Sequence, residues 1–166
     1  MAANYDGSVI VGWSNSSTGS QAARWTSAGV QGLGYLPGSP SSVAQSVEVT
    51  GQIITGFTGI SSGAGQAFFW SADTGMRYLL DHILLMEPSL AASMTGWTLT
   101  SAYVSADGTT FAGNARDPLG RQVGYRASRA GGWLTTSPAA APEPSTQILF
   151  VLGGLGWFAL SKGYST

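Results

Sequence analysis

A chain of 166 residues with net charge −1 and only 9 % charged residues suits one domain plus an appendage, and it carries no field that would gather nucleic acid or an acidic membrane surface. Its seven basic residues are scattered and form no stripe, which sets nucleic-acid binding aside, and the absence of cysteine excludes disulfides and thiolate metal sites. Twenty-four glycines amid abundant Ser and Thr disfavour long soluble helices, while 43 % apolar residues and six tryptophans require a buried core, so short strands joined by tight turns are expected.

Met1-Ala2-Ala3 leads directly into Asn4-Tyr5-Asp6-Gly7-Ser8-Val9-Ile10-Val11-Gly12, with neither a basic nor an apolar leader region. The expectation is an internal start, or a piece of a longer precursor truncated at its N-terminus. The chain then repeats itself. Asp6 to Gly12, Gln21-Ala22-Ala23-Arg24-Trp25 and Gly29-Val30-Gln31-Gly32-Leu33 form the first unit. Thr50-Gly51-Gln52-Ile53-Ile54-Thr55-Gly56, Gln66-Ala67-Phe68-Phe69-Trp70 and Gly75-Met76-Arg77-Tyr78-Leu79 form the second. Asp107-Gly108-Thr109-Thr110-Phe111-Ala112-Gly113 and Gln122-Val123-Gly124-Tyr125-Arg126 form the third. Gly12 to Gly56 is 44 residues and Gly56 to Gly113 is 57, so the second unit carries an insertion.

Asp-Gly before a β-branched run marks a tight turn, since glycine tolerates positive φ and aspartate bonds its own backbone. Val9 to Val11, Ile53-Ile54 and Thr109 to Phe111 read as short strands. A second strand in each unit ends on an aromatic residue: Trp25, Trp70 or Tyr125. A third follows Gly29 and Gly75, and Val43 to Val49 supplies a fourth. Four strands in about 45 residues match the blade length of β-propellers, and three units are fewer than the roughly 4–8 of a closed ring. The predicted fold is all-β: propeller-like repeats of short antiparallel strands in an incomplete ring or open stack. The domain spans residues 1–135, with repeats at about 4–46, 47–103 and 104–135.

The insertion predicts a helix within about 79–94, where Leu79, Leu80, Ile83 and Leu84 fall at helical spacing and Pro88 breaks the element after Glu87. Trp97 to Val104 resumes as a strand. Residues 136–145 form a Pro/Ala linker. The charge-free run Ile148 to Leu160 predicts a C-terminal hydrophobic helix over 146–163, inserted in the membrane, with Ile148, Leu149, Phe150, Val151, Leu152, Leu155, Trp157, Phe158 and Leu160 in lipid and Lys162 snorkelling; as its 13 residues cover only about 20 Å of a bilayer core about 30 Å thick, a buried or interfacial helix is the rival reading.

Pro142-Glu143-Pro144-Ser145, the apolar run and then Lys162 resemble the PEP-CTERM sorting signal of exopolysaccharide-making Gram-negative bacteria, over roughly residues 139–163. The usual basic cluster is here reduced to Lys162. The resemblance implies recognition by an exosortase-type processing enzyme near Pro142-Glu143-Pro144. Asp6 to Gly12, Ala23-Arg24-Trp25, Gly32-Leu33-Gly34-Tyr35-Leu36-Pro37-Gly38 and Gly96 to Ala102 resemble HAF-type extracellular repeats, with Tyr35 where that family commonly has Asp. This second resemblance implies a secreted β-rich domain and carries no catalytic residues over.

Chemistry-bearing residues are sparse. His82 is the lone histidine and reads as a partly exposed helix residue, without further ligands for a metal. Gly59-Ile60-Ser61-Ser62-Gly63 has nucleophile-elbow spacing but sits in a repeat loop, off any strand-to-helix turn. Asp6, Asp73 and Asp107 read as turn residues. Trp25 and Trp70 occupy equivalent repeat positions, which favours core packing; a sugar-stacking platform is the alternative. No catalytic residue, cofactor or metal is expected. The sequence reads as an exported, non-enzymatic β-repeat protein with a structural or adhesive role in extracellular matrix or biofilm. It would pass through an inner-membrane intermediate to the cell surface, with exopolysaccharide a possible partner. A carbohydrate-binding module and a fragment of a secreted hydrolase are the alternatives.

Overall fold

The repeated Asp-Gly and Thr-Gly turns organise three antiparallel sheets. In a computed structural model, which describes residues 1–17, 19–59, 65–134, 146–151 and 157–161, sheet 1 runs β1 (Ala2–Ala3), β2 (Ile10–Ser16), β3 (Gly19–Thr26), β4 (Gly29–Gly34) in spatial order. Sheet 2 runs β5 (Ser42–Val47), β6 (Ile54–Thr58), β7 (Ala67–Ser71), β8 (Gly75–Tyr78). Sheet 3 runs β10 (Tyr103–Val104), β11 (Thr110–Arg116), β12 (Gln122–Arg129), β13 (Thr146–Val151), β14 (Trp157–Ser161), with β9 (Thr98–Leu99) also paired to β11. Among the described residues no sheet closes on itself.

One turn is built three times. Gly7, Gly51 and Gly108 have φ of 70°, 77° and 69°, a conformation that costs residues with a Cβ. Each donates its N–H to the carbonyl three residues back, on Asn4, Glu48 and Ser105. The side chains of those same three residues accept the N–H of Val9, Ile53 and Thr110. The strands that follow pair in one register: Gly12 faces Ala23, Gly56 faces Phe68 and Gly113 faces Tyr125. Trp25 and Trp70 are therefore equivalent, as the sequence indicates. Tyr125 is not their counterpart; it matches Ala23 and Phe68, and Ala127 holds the tryptophan position. The sequence points to Tyr125 because it is the aromatic residue of its strand, three residues after Gln122 where Trp25 and Trp70 lie four after their glutamines, whereas the ladder from Gly113 puts Ala127 in their place.

The sequence also places one strand in the wrong unit. The segment at Val43 to Val49 pairs with β6 and opens sheet 2, so each sheet begins one strand earlier than the sequence repeat suggests. The expected continuous strand from Trp97 to Val104 is two short pieces, β9 and β10, on one neighbour.

Sheet 2 is the middle layer. Every residue of β6 and β7 is buried. One face (Ile54, Phe68, Trp70) packs with Val9, Val11, Ala22 and Leu33 of the first repeat. The other (Ile53, Ala67, Phe69) packs with Val104, Phe111, Ala127 and Trp133 of the third. Side chains alternate across a strand, so continuous burial along β6 and β7 requires a neighbour on both faces. The insertion forms helix α1 (Leu79–Met86), which buries Leu79, His82 and Ile83, then a 3-10 turn at Pro88–Leu90. Proline lacks the N–H that would have continued the helix.

The tail differs most from expectation. Where the sequence predicts a helix over 146–163, the described residues are strands: β13 pairs with β12 from Gly124↔Val151 to Arg129↔Thr146, and β14 pairs with β13. The reason lies in β12. After Arg129 the chain turns inward through Gly132 (φ 72°) and buries Trp133, leaving the outer edge of β12 without a local partner. Sheets 1 and 2 fill that edge with β4 and β8; sheet 3 fills it with Thr146–Val151, and Ile148 joins the core. No described helix is long and apolar enough to cross a membrane.

Candidate functional site

Stacking the repeats brings the turn of sheet 2 against the turn of sheet 3. A cleft of about 280 Å³ opens there, lined by Glu48, Thr50, Gln52, Asp107, Trp133 and Leu134, among others. Both carboxylates are committed to their own turns. Glu48 accepts hydrogen bonds from Thr50 N (2.6 Å), Thr50 Oγ1 (2.6 Å), Gln52 N (2.5 Å) and Ile53 N (3.2 Å). Burial works against its charge, but these donors outweigh burial and hold its pKa below the ordinary value. Asp107 accepts from Ser105 Oγ, Thr109 N and Thr109 Oγ1, and the Ser105 hydroxyl leads in lowering its pKa. Two ionised carboxylates that accept donors from their own turns are turn staples, unlike a general acid kept protonated near neutrality.

Below the cleft, His82 is fully buried, so the expectation of a partly exposed helix histidine is corrected. Its ring stacks on Phe69 at 3.7 Å between centroids and 8° between planes. Nε2 lies 2.7 Å from the Trp133 carbonyl oxygen, which makes it the protonated nitrogen, and Nδ1 is buried without a partner. Burial drives the pKa down to about 4, with Arg77 and Arg129 adding to the shift, so the ring is neutral at pH 7. Trp133 Nε1 in turn donates to the Thr109 carbonyl (2.9 Å). His82 and Trp133 thus pin the helix to the third sheet.

The tryptophan pair separates. Trp70 is 4 % exposed between sheets 1 and 2, with the Arg24 guanidinium 5.5 Å from its ring centroid. Trp25, at the same register position, is half-buried on the outer face of sheet 1. Trp133 is in the core. Accessible indole surface is instead found at Trp13, which is 51 % exposed and which the sequence reading passed over. Of the predicted membrane residues, Ile148 is buried in the core and Leu149 half-buried; Phe150, Val151, Trp157, Phe158 and Leu160 lie on β13 and β14. Leu152, Leu155 and Lys162, the sorting motif Pro142, Glu143, Pro144 and Ser145, and the elbow residues 60–63 lie outside the described residues.

Besides Trp13, two structural features of the site escaped the sequence. Glu48 is legible afterwards, because it stands three residues before the turn glycine, as do Asn4 and Ser105. The Arg24–Trp70 stack left no trace, because it joins different units. Among the described residues no group of three or more His, Asp or Glu side chains could hold a metal ion. The chain matches no family model, no curated protein and no solved structure.

Proposed function

We propose that this is an exported, surface-sorted β-repeat protein whose three sheets are consecutive blades of a propeller-like stack, with a structural or adhesive role in an extracellular matrix and no catalysis of its own. The observation that carries the reading is modular: one turn and one register are used three times, and the polar side chains at each turn are spent on holding that turn. A repeat whose polar groups serve its own geometry suits scaffolding. The resemblance of Pro142-Glu143-Pro144-Ser145 to a sorting signal supplies the destination. During export the apolar run at 148–160 leaves the edge of β12 and enters the bilayer, where a strand without its partners must trade its ladder for a helix. An exosortase-type enzyme then cuts near Pro142-Glu143-Pro144.

The test is fractionation of a Gram-negative host that carries an exosortase and expresses the full gene. The processed form is expected outside the inner membrane, and Glu143→Ala is expected to leave an unprocessed, membrane-held form. A product that stays in the cytosol, unchanged by Glu143→Ala, would refute the export reading. Exposed Trp13 favours a carbohydrate-binding module as a second reading. Glycan-array binding lost with Trp13→Ala, in a protein whose circular dichroism is unchanged, would establish it.

A further inference from the structure

Each sheet presents the same row of cross-strand neighbours toward the sheet before it. In sheet 2 the row is Val47, Ile54, Trp70, Met76; in sheet 3 it is Val104, Phe111, Ala127, Ile148. Both rows pack against the preceding sheet: Ile54 and Phe111 are each 0 % exposed. In sheet 1 the matching row is Ala3, Ile10, Trp25, Val30, and nothing precedes it among the described residues. There Ile10 is 39 % and Val30 61 % exposed.

The surface that covers such a row is also defined. Sheet 1 covers the row of sheet 2 with Val9, Val11 and Ala22 and sets Arg24 over the Trp70 ring. Arg24 pairs with Val11 on the ladder, and Arg126 pairs with Ala112 at the same register on sheet 3. Arg126 is exposed on the far face of that sheet, opposite Phe111 and Ala127. One end of the stack therefore displays a tryptophan row that no sheet covers among the described residues, with Trp25 half-buried between exposed Ile10 and Val30, and the other displays an arginine at the position that elsewhere covers a tryptophan.

We propose that the outer face of sheet 1 binds the outer face of sheet 3 of a second copy of this chain, head to tail, with Arg126 of one copy over Trp25 of the other. Two copies joined at both ends would make a ring of six sheets, within the roughly 4–8 blades of closed propellers. Like that of other head-to-tail contacts, the interface is heterologous, so the two faces differ and must be complementary. The inference rests on the stacking register and is independent of export and sorting.

The native chain lacks cysteine, so introduced cysteines are unique probes. Trp25→Cys and Arg126→Cys variants are mixed and treated with a short bismaleimide; cross-linking between the two variants is expected, well above that of either alone. Sedimentation of the unmodified chain should show self-association, and Val30→Asp and Arg126→Glu should each weaken it about tenfold or more, with unchanged circular dichroism. Three results would overturn the proposal. One is a monomer at every concentration. Another is self-cross-linking of Val30→Cys without the mixed product, which would mean sheet 1 meets sheet 1. The last is a face protected only when a further repeat is fused ahead of Ala2, which would assign it to an intramolecular neighbour.

Discussion

His82 holds a single protonation state because its surroundings accept only one. The Phe69 ring covers one face, the Trp133 carbonyl takes the Nε2 proton, and Nδ1 faces no donor or acceptor. Protonating Nδ1 would bury a charge without a partner, which is costly. The ring titrates near pH 6.5 when unfolded and about 4 when folded, so between those values the unfolded chain binds more protons. The stabilisation is complete above about pH 6.5 and falls as pH drops toward 4, by on the order of 3 kcal/mol. Urea unfolding at stepped pH should show that decline, and His82→Gln should flatten it between about pH 5 and 6.5, above the range where carboxylates begin to protonate. A second residue-scale prediction concerns Gly113. A Cβ there would run into the Ser101 carbonyl, and the same position in sheet 2, Gly56, meets the Val43 carbonyl. Gly113→Ala should cost about 1–3 kcal/mol in the same measurement, whereas Gly120→Ala, whose φ is 78° in open space, should cost only its backbone strain.

Whether a sequence run becomes strand or helix depends on which edge needs it, and that explains how much was legible. The turn glycines, the strands after them, the helix at Leu79–Met86 and its end at Pro88 could all be read, because each is set by neighbours in sequence. The tail could not. Its composition admits helix or strand, and the deciding fact, an unpaired β12 edge, arises from Trp133 folding inward far from the tail. The same holds for the cleft at Glu48 and Asp107 and for the Arg24–Trp70 stack: each joins two units, and a repeat search compares units without showing their contacts. The strand assignment has a measurable consequence. Ile148 is 2 % exposed beside Ala127, so Ile148→Ala should destabilise the folded chain by about 2–5 kcal/mol. If residues 146–151 stay off the sheet in water, that substitution will leave the unfolding midpoint where it was.

Across the whole molecule, stability should be graded by position in the stack. Sheet 2 has both faces buried, through Ile54, Phe68 and Trp70 on one side and Ile53 and Phe69 on the other, while among the described residues sheet 1 has a partner on one side only. In a stacked-repeat protein each unit draws its stability from its own fold and from its neighbours, so an end unit lacks one interface and opens first. Native-state hydrogen exchange should therefore find the slowest amides in β6 and β7 and faster exchange in β2 and β3, although the pairing of β2 with β3 is the longer ladder. Ladder length alone would give the opposite order, and faster exchange in β6 than in β2 would show that the sheets are stabilised singly and not by stacking. Concentration adds a further arm: if Arg126 of another copy covers Trp25, protection in β2 and β3 should rise toward that of sheet 2 as the protein is concentrated. Arg126→Glu should abolish the rise without changing exchange in β6 and β7.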